Sequence, residues 1–350
     1  MFCKYFYPRN NKCIHLIDTG ESSNLCKMSG RFLCTLEEEE DFKHKGGGMI
    51  LSHSSRENFI RCRQAFYLQR IKRISIRKEK LPLAVSLGAI WDKYMESRYL
   101  GVKFMDKFWV LVDEYDIESD MDIAKIYGLI EAHRKLEMEP YYETRDGGIF
   151  RGCQHKFEIV ENGDFSVIGY IDRVYSDHIV ETKLTARPEF YFIIHNITSQ
   201  IGTYFLSSPE YKYAVVESTR VPGLRTGSGK YSDESPKAYR FRVVGEILSK
   251  PSYYFLGFNR ETRTFGKKFW RNEFNMEELK QDYFYVNKEI QRALEDGEGA
   301  FYKNRKACYV PGPCFYLPIC DTGCVSESIF ETKESKPVIK EKIKEVEDAA

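Results

Sequence analysis

Apolar and polar positions along the chain follow two periodicities, and the change between them falls near residue 150. Phe59, Cys62 and Phe66 recur at helical spacing behind Ser54 and Glu57, a pair that fits a capping box, so the pattern predicts a helix from about Ser55 to Arg70. Helical spacing returns from near Ala84 past Met95, and again around Ile123 to Leu136. The pattern then turns to alternation. "HKFEIV", "FSVIGYIDRVY" and "HIVETKL" are β-branched and aromatic, and "ENGD" and "SD" between them are turn chemistry, so three consecutive strands are predicted. Helix-like sequence resumes at Gln200 to Leu206, around Ala238 to Leu248 and from Met276 to Leu294. Helices before and after a block of strands predict an α/β domain.

Composition adds limits. A chain of 350 residues, 42% hydrophobic and 30% charged, has apolar material for one large or two modest cores. With a formal net charge of +1, attraction to a polyanion has to come from local clustering of Lys and Arg. No apolar run reaches the roughly 18 residues of a membrane span, and the opening "MFCKYFYPRNNKC" lacks the apolar core of a secretion signal. The expectation is a cytoplasmic protein with no membrane partner. Its ten cysteines then sit among reduced thiols, which favours metal ligation over disulfides.

The cysteines also divide the chain. Cys3, Cys13, Cys26 and Cys34 open it, Cys308, Cys314, Cys320 and Cys324 crowd near its end, and only Cys62 and Cys153 fall between. The early four, with His15 as a possible substitute ligand, are expected to hold a structural Zn²⁺ in a module over residues 1–36, because a segment so poor in aliphatics needs a metal to fold. The acidic and Gly-rich run over 37–48 reads as a linker, residues 49–327 as the main domain and 328–350 as a charged tail. "STRVPGLRTGSGKYSDESPK" reads as a long polar loop, with Arg225, Lys230 and Lys237 as candidate phosphate contacts.

Candidate chemistry concentrates in the strands. Phosphodiester hydrolysis requires charge stabilisation at the phosphate and a nucleophile made near neutral pH, and carboxylate-bound Mg²⁺ or Mn²⁺ supplies both. "GYIDRVYSDHIVETK" carries Asp172 late in one strand and Glu181 and Lys183 in the next, and the two-residue spacing of the latter pair puts both on one face. Lys183 beside a metal would orient the attacking water or hold a phosphate. Glu158, one strand earlier, reads as an edge-strand charge. From Arg61 to Lys80 there are eight Lys or Arg and one acid, with Phe66 and Tyr67 interleaved. Arg61, Arg63, Arg70, Lys72 and Arg73 are therefore candidate phosphate contacts, with the two aromatics available for stacking, although a solvated basic face explains the run almost as well.

An Asp in an "IGYID" strand, a short turn and then "ETK" resembles the core of the PD-(D/E)XK nuclease superfamily. "SQIGTY" is similar to the Gln-x-x-x-Tyr motif of its RecB-like branch through Gln200 and Tyr204. "SRENFIRCRQAFYLQRI" resembles that branch's N-terminal Ser…Cys helix, and "LGAIWDKYME" its Gly-x-x-x-His helix with Asp92 in place of His. The resemblance runs over about residues 50–324. It implies a three-layer restriction-endonuclease-like core, a central mixed sheet flanked by helices. It also implies a Mg/Mn site at Asp92, Asp172 and Glu181, with Lys183, Gln200 and Tyr204 in support, and activity on DNA with single-stranded character, in recombination, repair or phage DNA metabolism. A helicase or recombination protein would be the partner, in a bacterial, phage or prophage setting. The same resemblance implies a 4Fe-4S cluster on Cys62, Cys308, Cys314 and Cys320. Zinc on the four late cysteines, with Cys324 the fourth, is the alternative, and Cys62 also suits a plain buried thiol. Two other functional readings stay open: a non-catalytic DNA-binding scaffold with a degenerate nuclease fold, and an RNA-directed nuclease.

Overall fold

The computed structural model describes residues 50–138, 144–145, 147–161, 165–193, 198–226, 231–309 and 313–333. The zinc module expected on Cys3, Cys13, Cys26 and Cys34, the linker and most of the charged tail lie outside the described residues, as does Lys230.

The chain enters through β1 (Ile50–Leu51) and α1 (His53–Arg61). The N-cap of α1 is Ser52, whose hydroxyl accepts from the Ser55 backbone N–H while Ser55 Oγ accepts from Ser52, so the capping box uses two serines rather than Ser54 and Glu57. The helix expected to reach Arg70 breaks at Cys62, which is extended at φ −161° and ψ 108°. A short turn at Arg63–Phe66 and a π-helical stretch at Tyr67–Ile71 follow before β2 (Ile74–Ile76). Then come α2 (Leu83–Tyr99), α3 (Met105–Glu114) and α4 (Asp120–Lys135).

The strands follow as β3 (Thr144–Arg145), β4 (Gly148–Glu161), β5 (Phe165–Tyr175) and β6 (His178–Thr185), then α5 (Thr198–Ser207) and β7 (Tyr213–Arg220). The chain closes with α6 (Pro236–Ser249), β8 (Lys267–Trp270), α7 (Met276–Asp296), α8 (Leu317–Thr322) and β9 (Phe330–Thr332). Ser218, Thr219 and Arg220, read from sequence as the start of a loop, are the end of β7, a strand buried along nearly its whole length.

Seven strands form one mixed sheet in the order β3-β4-β5-β6-β7-β8, with β1 added in parallel to β5. β4, β5 and β6 meander antiparallel, whereas β6 and β7 run parallel from His178↔Tyr213 to Thr185↔Arg220. A parallel pair needs a crossover, and α5 lies on it. One side of the sheet packs Val180 and Val215 against α2, α4 and α6 through Trp91, Leu129 and Val243. On the other side α1, α5 and α7 contact one another, and α5 also meets β4. The architecture is therefore α/β, with a central mixed sheet flanked by helices. No helix among the described residues is long and apolar enough to cross a membrane.

A smaller unit closes the molecule's end. β2 pairs antiparallel with β9, and Phe330, essentially inaccessible to solvent, stacks on Tyr316. The tail expected from residue 328 thus begins with an ordered strand, because Phe330 supplies apolar area to a cluster that includes Cys62, Leu68 and Ile319.

Candidate active site in a strand fork

β5 and β6 are paired only at Arg173↔Val180 and Val174↔Ile179. Beyond that point they part. Asp172 lies where the next rung would be, and its Oδ2 accepts the Thr182 backbone N–H at 2.8 Å instead. β1 occupies the side of β5 that β6 has left, at Ser166 and Val167. Chain entry through β1 sets His53, the first residue of α1, beside this fork.

Glu181 is almost fully buried and its carboxylate is held from three sides. Gln200 Nε2 donates to Oε1 at 2.9 Å, Tyr204 Oη donates to Oε2 at 3.1 Å, and Lys183 forms an ion pair with Oε1. Gln200 also donates to Tyr204 Oη at 2.6 Å, so the two residues one turn apart on α5 act as a single clamp. Burial alone would pull the Lys183 ammonium down, but Glu181 and Asp172 outweigh it and keep the side chain charged. Burial pushes the Asp172 carboxyl well up, and repulsion from Glu181 and Asp92 adds to it. Asp92, arriving on α2, is pushed up to about 6 by burial, with Glu181 and Glu96 adding to the rise. The structure thus brings Asp92, Asp172, Glu181, Lys183, Gln200 and Tyr204 within electrostatic or hydrogen-bonding reach. Glu158 stands exposed on β4, opposite Ile168.

Two lining groups are not apparent in the sequence. Burial, with Arg56 and Lys183 close by, pushes the His53 imidazole down to about 4, and its Nδ1 has no hydrogen-bond partner among the described residues. Cys153 on β4 feels Arg173, Glu96, Asp172 and Asp92, and burial raises its thiol to about 12. An isolated His before a helix and an isolated Cys in a strand carry no spacing signal, which is why pattern alone does not single them out.

Gly169, in the "IGYID" strand, has a steric role. Phe157 lies across it from β4, and a Cβ at Gly169 would come within 2.6 Å of the Phe157 ring. Phe157 in turn packs edge-on against Tyr204, with ring centroids 5.7 Å apart. Gly169→Ala is therefore expected to cost about 1–3 kcal/mol by overpacking and to disturb the Tyr204 clamp. Urea unfolding of the variant beside Gly169→Ala/Phe157→Leu checks this, since trimming the ring should restore most of the loss.

The cysteines gather at the opposite end of α1. Cys314 and Cys320 each feel Cys62 and Cys308, and both thiols are raised, first by burial. The Cys314 backbone N–H donates to the Cys308 carbonyl at 2.8 Å, and Asn304 N–H donates to Cys62 Sγ at 3.4 Å. Cys324 is exposed in a turn capped by Thr322, whereas Cys62 is buried and Cys308, Cys314 and Cys320 are half-buried.

The basic run from Arg61 to Arg73 divides. Arg61 and Arg63 border a groove. Arg70 turns inward and donates to Ser52 Oγ at 2.8 Å, its pKa lowered to about 10 by burial, so it is not placed as an outward phosphate contact. Lys72 lies over the Tyr67 ring, and Arg73 adopts a left-handed conformation with its carbonyl bonded to Lys333 N. Phe66 and Tyr67 are buried against Phe301 and offer no face to a base. In the loop after β7 the Arg225 carbonyl accepts from Arg242.

As the side chains stand, no three His, Cys, Asp or Glu among the described residues are grouped to hold a metal ion. Comparison of the chain with protein-family models and with curated proteins gives no match.

Proposed function

We propose that the chain is a divalent-metal-dependent nuclease acting on DNA with single-stranded character. The observation that carries this reading is the charge balance in the fork. Glu181 is paired with Lys183, but Asp172 and Asp92 remain to repel it and one another. Buried carboxylates this close are relieved either by taking up protons, the direction in which Asp172 and Asp92 are pushed, or by a cation that replaces those protons. The donors are hard carboxylate oxygens, which suit Mg²⁺ or Mn²⁺, and Asp92, Asp172 and Glu181 would hold the ion. Bound there, it would stabilise charge on the phosphate and lower the pKa of water.

The protein's own groups supply the rest. Gln200 and Tyr204 fix the rotamer of Glu181 so that its charge is preorganised. Lys183, charged and a quarter exposed, is placed to hold a phosphate oxygen or orient the attacking water. His53, which burial keeps neutral at physiological pH, adds an imidazole Nδ1 unengaged among the described residues beside Lys183. The test is incubation of the purified chain with labelled single-stranded DNA, duplex DNA and RNA, with Mn²⁺ or with chelator. Cleavage of single-stranded DNA only when metal is present is expected, whereas cleavage confined to RNA would transfer the reading to an RNA nuclease.

The same proposal assigns Cys62, Cys308, Cys314 and Cys320 to a 4Fe-4S cluster, supported by the influence of Cys62 and Cys308 on the Cys314 and Cys320 thiols and by the exposure of Cys324. Soft thiolate donors suit iron–sulfur chemistry, and such a cluster would tie the end of α1 to the closing segment. Anaerobically purified protein is expected to hold about four irons per chain, to lose them on Cys62→Ser and to keep them on Cys324→Ser. Full iron in the Cys62→Ser protein, or zinc lost only on Cys324→Ser, would contradict the assignment.

A further inference from the structure

A groove of about 580 Å³ opens where α1 ends, between the end of α1, α7 and the segment from Tyr302 to Lys306. Its size falls in the range of about 300–1,000 Å³ typical of ligand sites. Its lining residues carry five cations, Arg61, Arg63, Lys303, Arg305 and Lys306, against one carboxylate, Glu289. Two large aromatic side chains face solvent there: Tyr285 is 62% exposed and Tyr302 60%. Exposed aromatics occur elsewhere on the surface, but here two lie in one groove beside five cations, the pairing of ring faces and positive charge that a single nucleic-acid strand uses.

The walls are built rather than loose. Gln64 N–H donates to the Tyr302 carbonyl at 3.2 Å, Asn304 Nδ2 donates to the Arg61 carbonyl at 2.9 Å, and Arg61 donates to the Ala307 carbonyl at 3.0 Å. These bonds join segments some 240 residues apart in sequence. The Arg63 guanidinium lies over both the Phe59 and Tyr302 rings, 4.8 and 5.1 Å from their centroids, and is paired with Glu289. Arg305 and Lys306 are exposed.

We propose that this groove binds a single-stranded polynucleotide, with Tyr285 and Tyr302 as stacking platforms and Arg61, Arg305 and Lys306 as phosphate contacts. A duplex keeps its bases stacked on one another and has no free face to offer a tyrosine, whereas a single strand has one at every base. The inference deepens the nuclease reading and rests on it for its biological sense. α1 has nine residues, about 13 Å of helix, and joins the groove at its C-terminal end to His53 and the fork at its N-terminal end. A strand held in the groove is thereby delivered towards the fork a few nucleotides away.

The test is anisotropy titration of labelled oligo-dT against the full chain in EDTA, which keeps binding separate from cleavage. Tyr285→Ala and Tyr302→Ala are each expected to weaken binding about 5- to 150-fold, the range of one lost base–aromatic stack. Arg305→Ala/Lys306→Ala should flatten the salt dependence by about 1.4 in log–log slope, roughly 0.7 per lost phosphate contact. Trp109→Ala, an aromatic 43% exposed on α3, serves as control and should bind as the parent does. Circular dichroism of each variant confirms folding, since the replaced rings are largely outside the core. Binding undiminished in both tyrosine variants would overturn the proposal, as would an abasic strand that binds the parent as tightly as oligo-dT, or polyglutamate that displaces oligo-dT at equal charge. Oligo-rU with the same sensitivity to the variants would support it equally. Tyrosine-dependent binding by a chain that cleaves nothing in Mn²⁺ would remove the nuclease reading and leave the groove, and cleavage with tyrosine-independent binding would do the reverse.

Discussion

Replacing Glu217 by alanine is expected to lower the unfolding free energy by about 3–5 kcal/mol, because it leaves a buried guanidinium without its counter-charge. Arg173 and Glu217 both have side chains only 2% exposed, and Nη2 of the arginine lies 2.6 Å from Oε2 of the glutamate. The same Nη2 donates to Thr182 Oγ1 at 2.5 Å, and the guanidinium sits 4.3 Å from the centroid of the Tyr99 ring. One side chain thus ties β5, β6, β7 and α2 together directly behind Asp172. Removing Glu217 forces Arg173 either to remain charged in a dry environment or to drag water into the core. Arg173→Met/Glu217→Leu should recover most of the loss, since an apolar pair of similar volume has no charge to desolvate. Urea unfolding of the three proteins checks this. A loss below about 1 kcal/mol for Glu217→Ala would mean that the pair behaves as a surface ion pair.

That pair marks a limit of sequence reading. In "YIDRVY" and "VVESTR" an Arg and a Glu in alternating strands look like solvent-facing charges, and only a sheet covered on both faces turns them inward. Burial on both faces also explains why β7 was not predicted: "YAVVESTR" has no clean alternation, and its final polar residues merge with the Gly- and Pro-rich loop. The antiparallel strands β4, β5 and β6 were legible because each carries β-branched and aromatic residues and is bounded by turn chemistry. The break at Cys62 was not. Apolar spacing runs unbroken from Phe59 to Phe66, and the extended conformation between them is accompanied by bonds from Asn304 and Tyr302, some 240 residues away in sequence.

For the candidate site, the two-residue spacing of Glu181 and Lys183 and the four-residue spacing of Gln200 and Tyr204 are local, and both pairs meet at one carboxylate. Asp92 joins them from a separate helix, close enough to feel Glu181. His53 reaches the fork only because β1 adds to β5, a long-range pairing that no local pattern encodes. The basic run misleads for a related reason. Charge density along a sequence does not reveal which way each side chain turns, and Arg70 turns in while Arg305 and Lys306, far along the chain, complete the basic groove.

The carboxylates of the fork are the groups on which metal-dependent cleavage would depend. Asp172→Ala and Glu181→Ala each remove an oxygen donor that the proposed cation needs, and Glu181→Ala also releases Lys183, Gln200 and Tyr204 from their common partner. Charge stabilisation by a bound metal is worth several kcal/mol in the transition state, so each change is expected to slow cleavage by about 10³-fold or more. Binding should persist, because the groove lies at the other end of α1. The most direct measurement is single-turnover cleavage of end-labelled single-stranded DNA in Mn²⁺ by the parent and by both variants, with strand affinity in EDTA measured on the same preparations. Metal-dependent cleavage by the parent, loss of cleavage in both variants, and affinities within about threefold of one another are expected. Cleavage by both variants at the parent's rate, or cleavage by the parent in EDTA, would contradict the proposal.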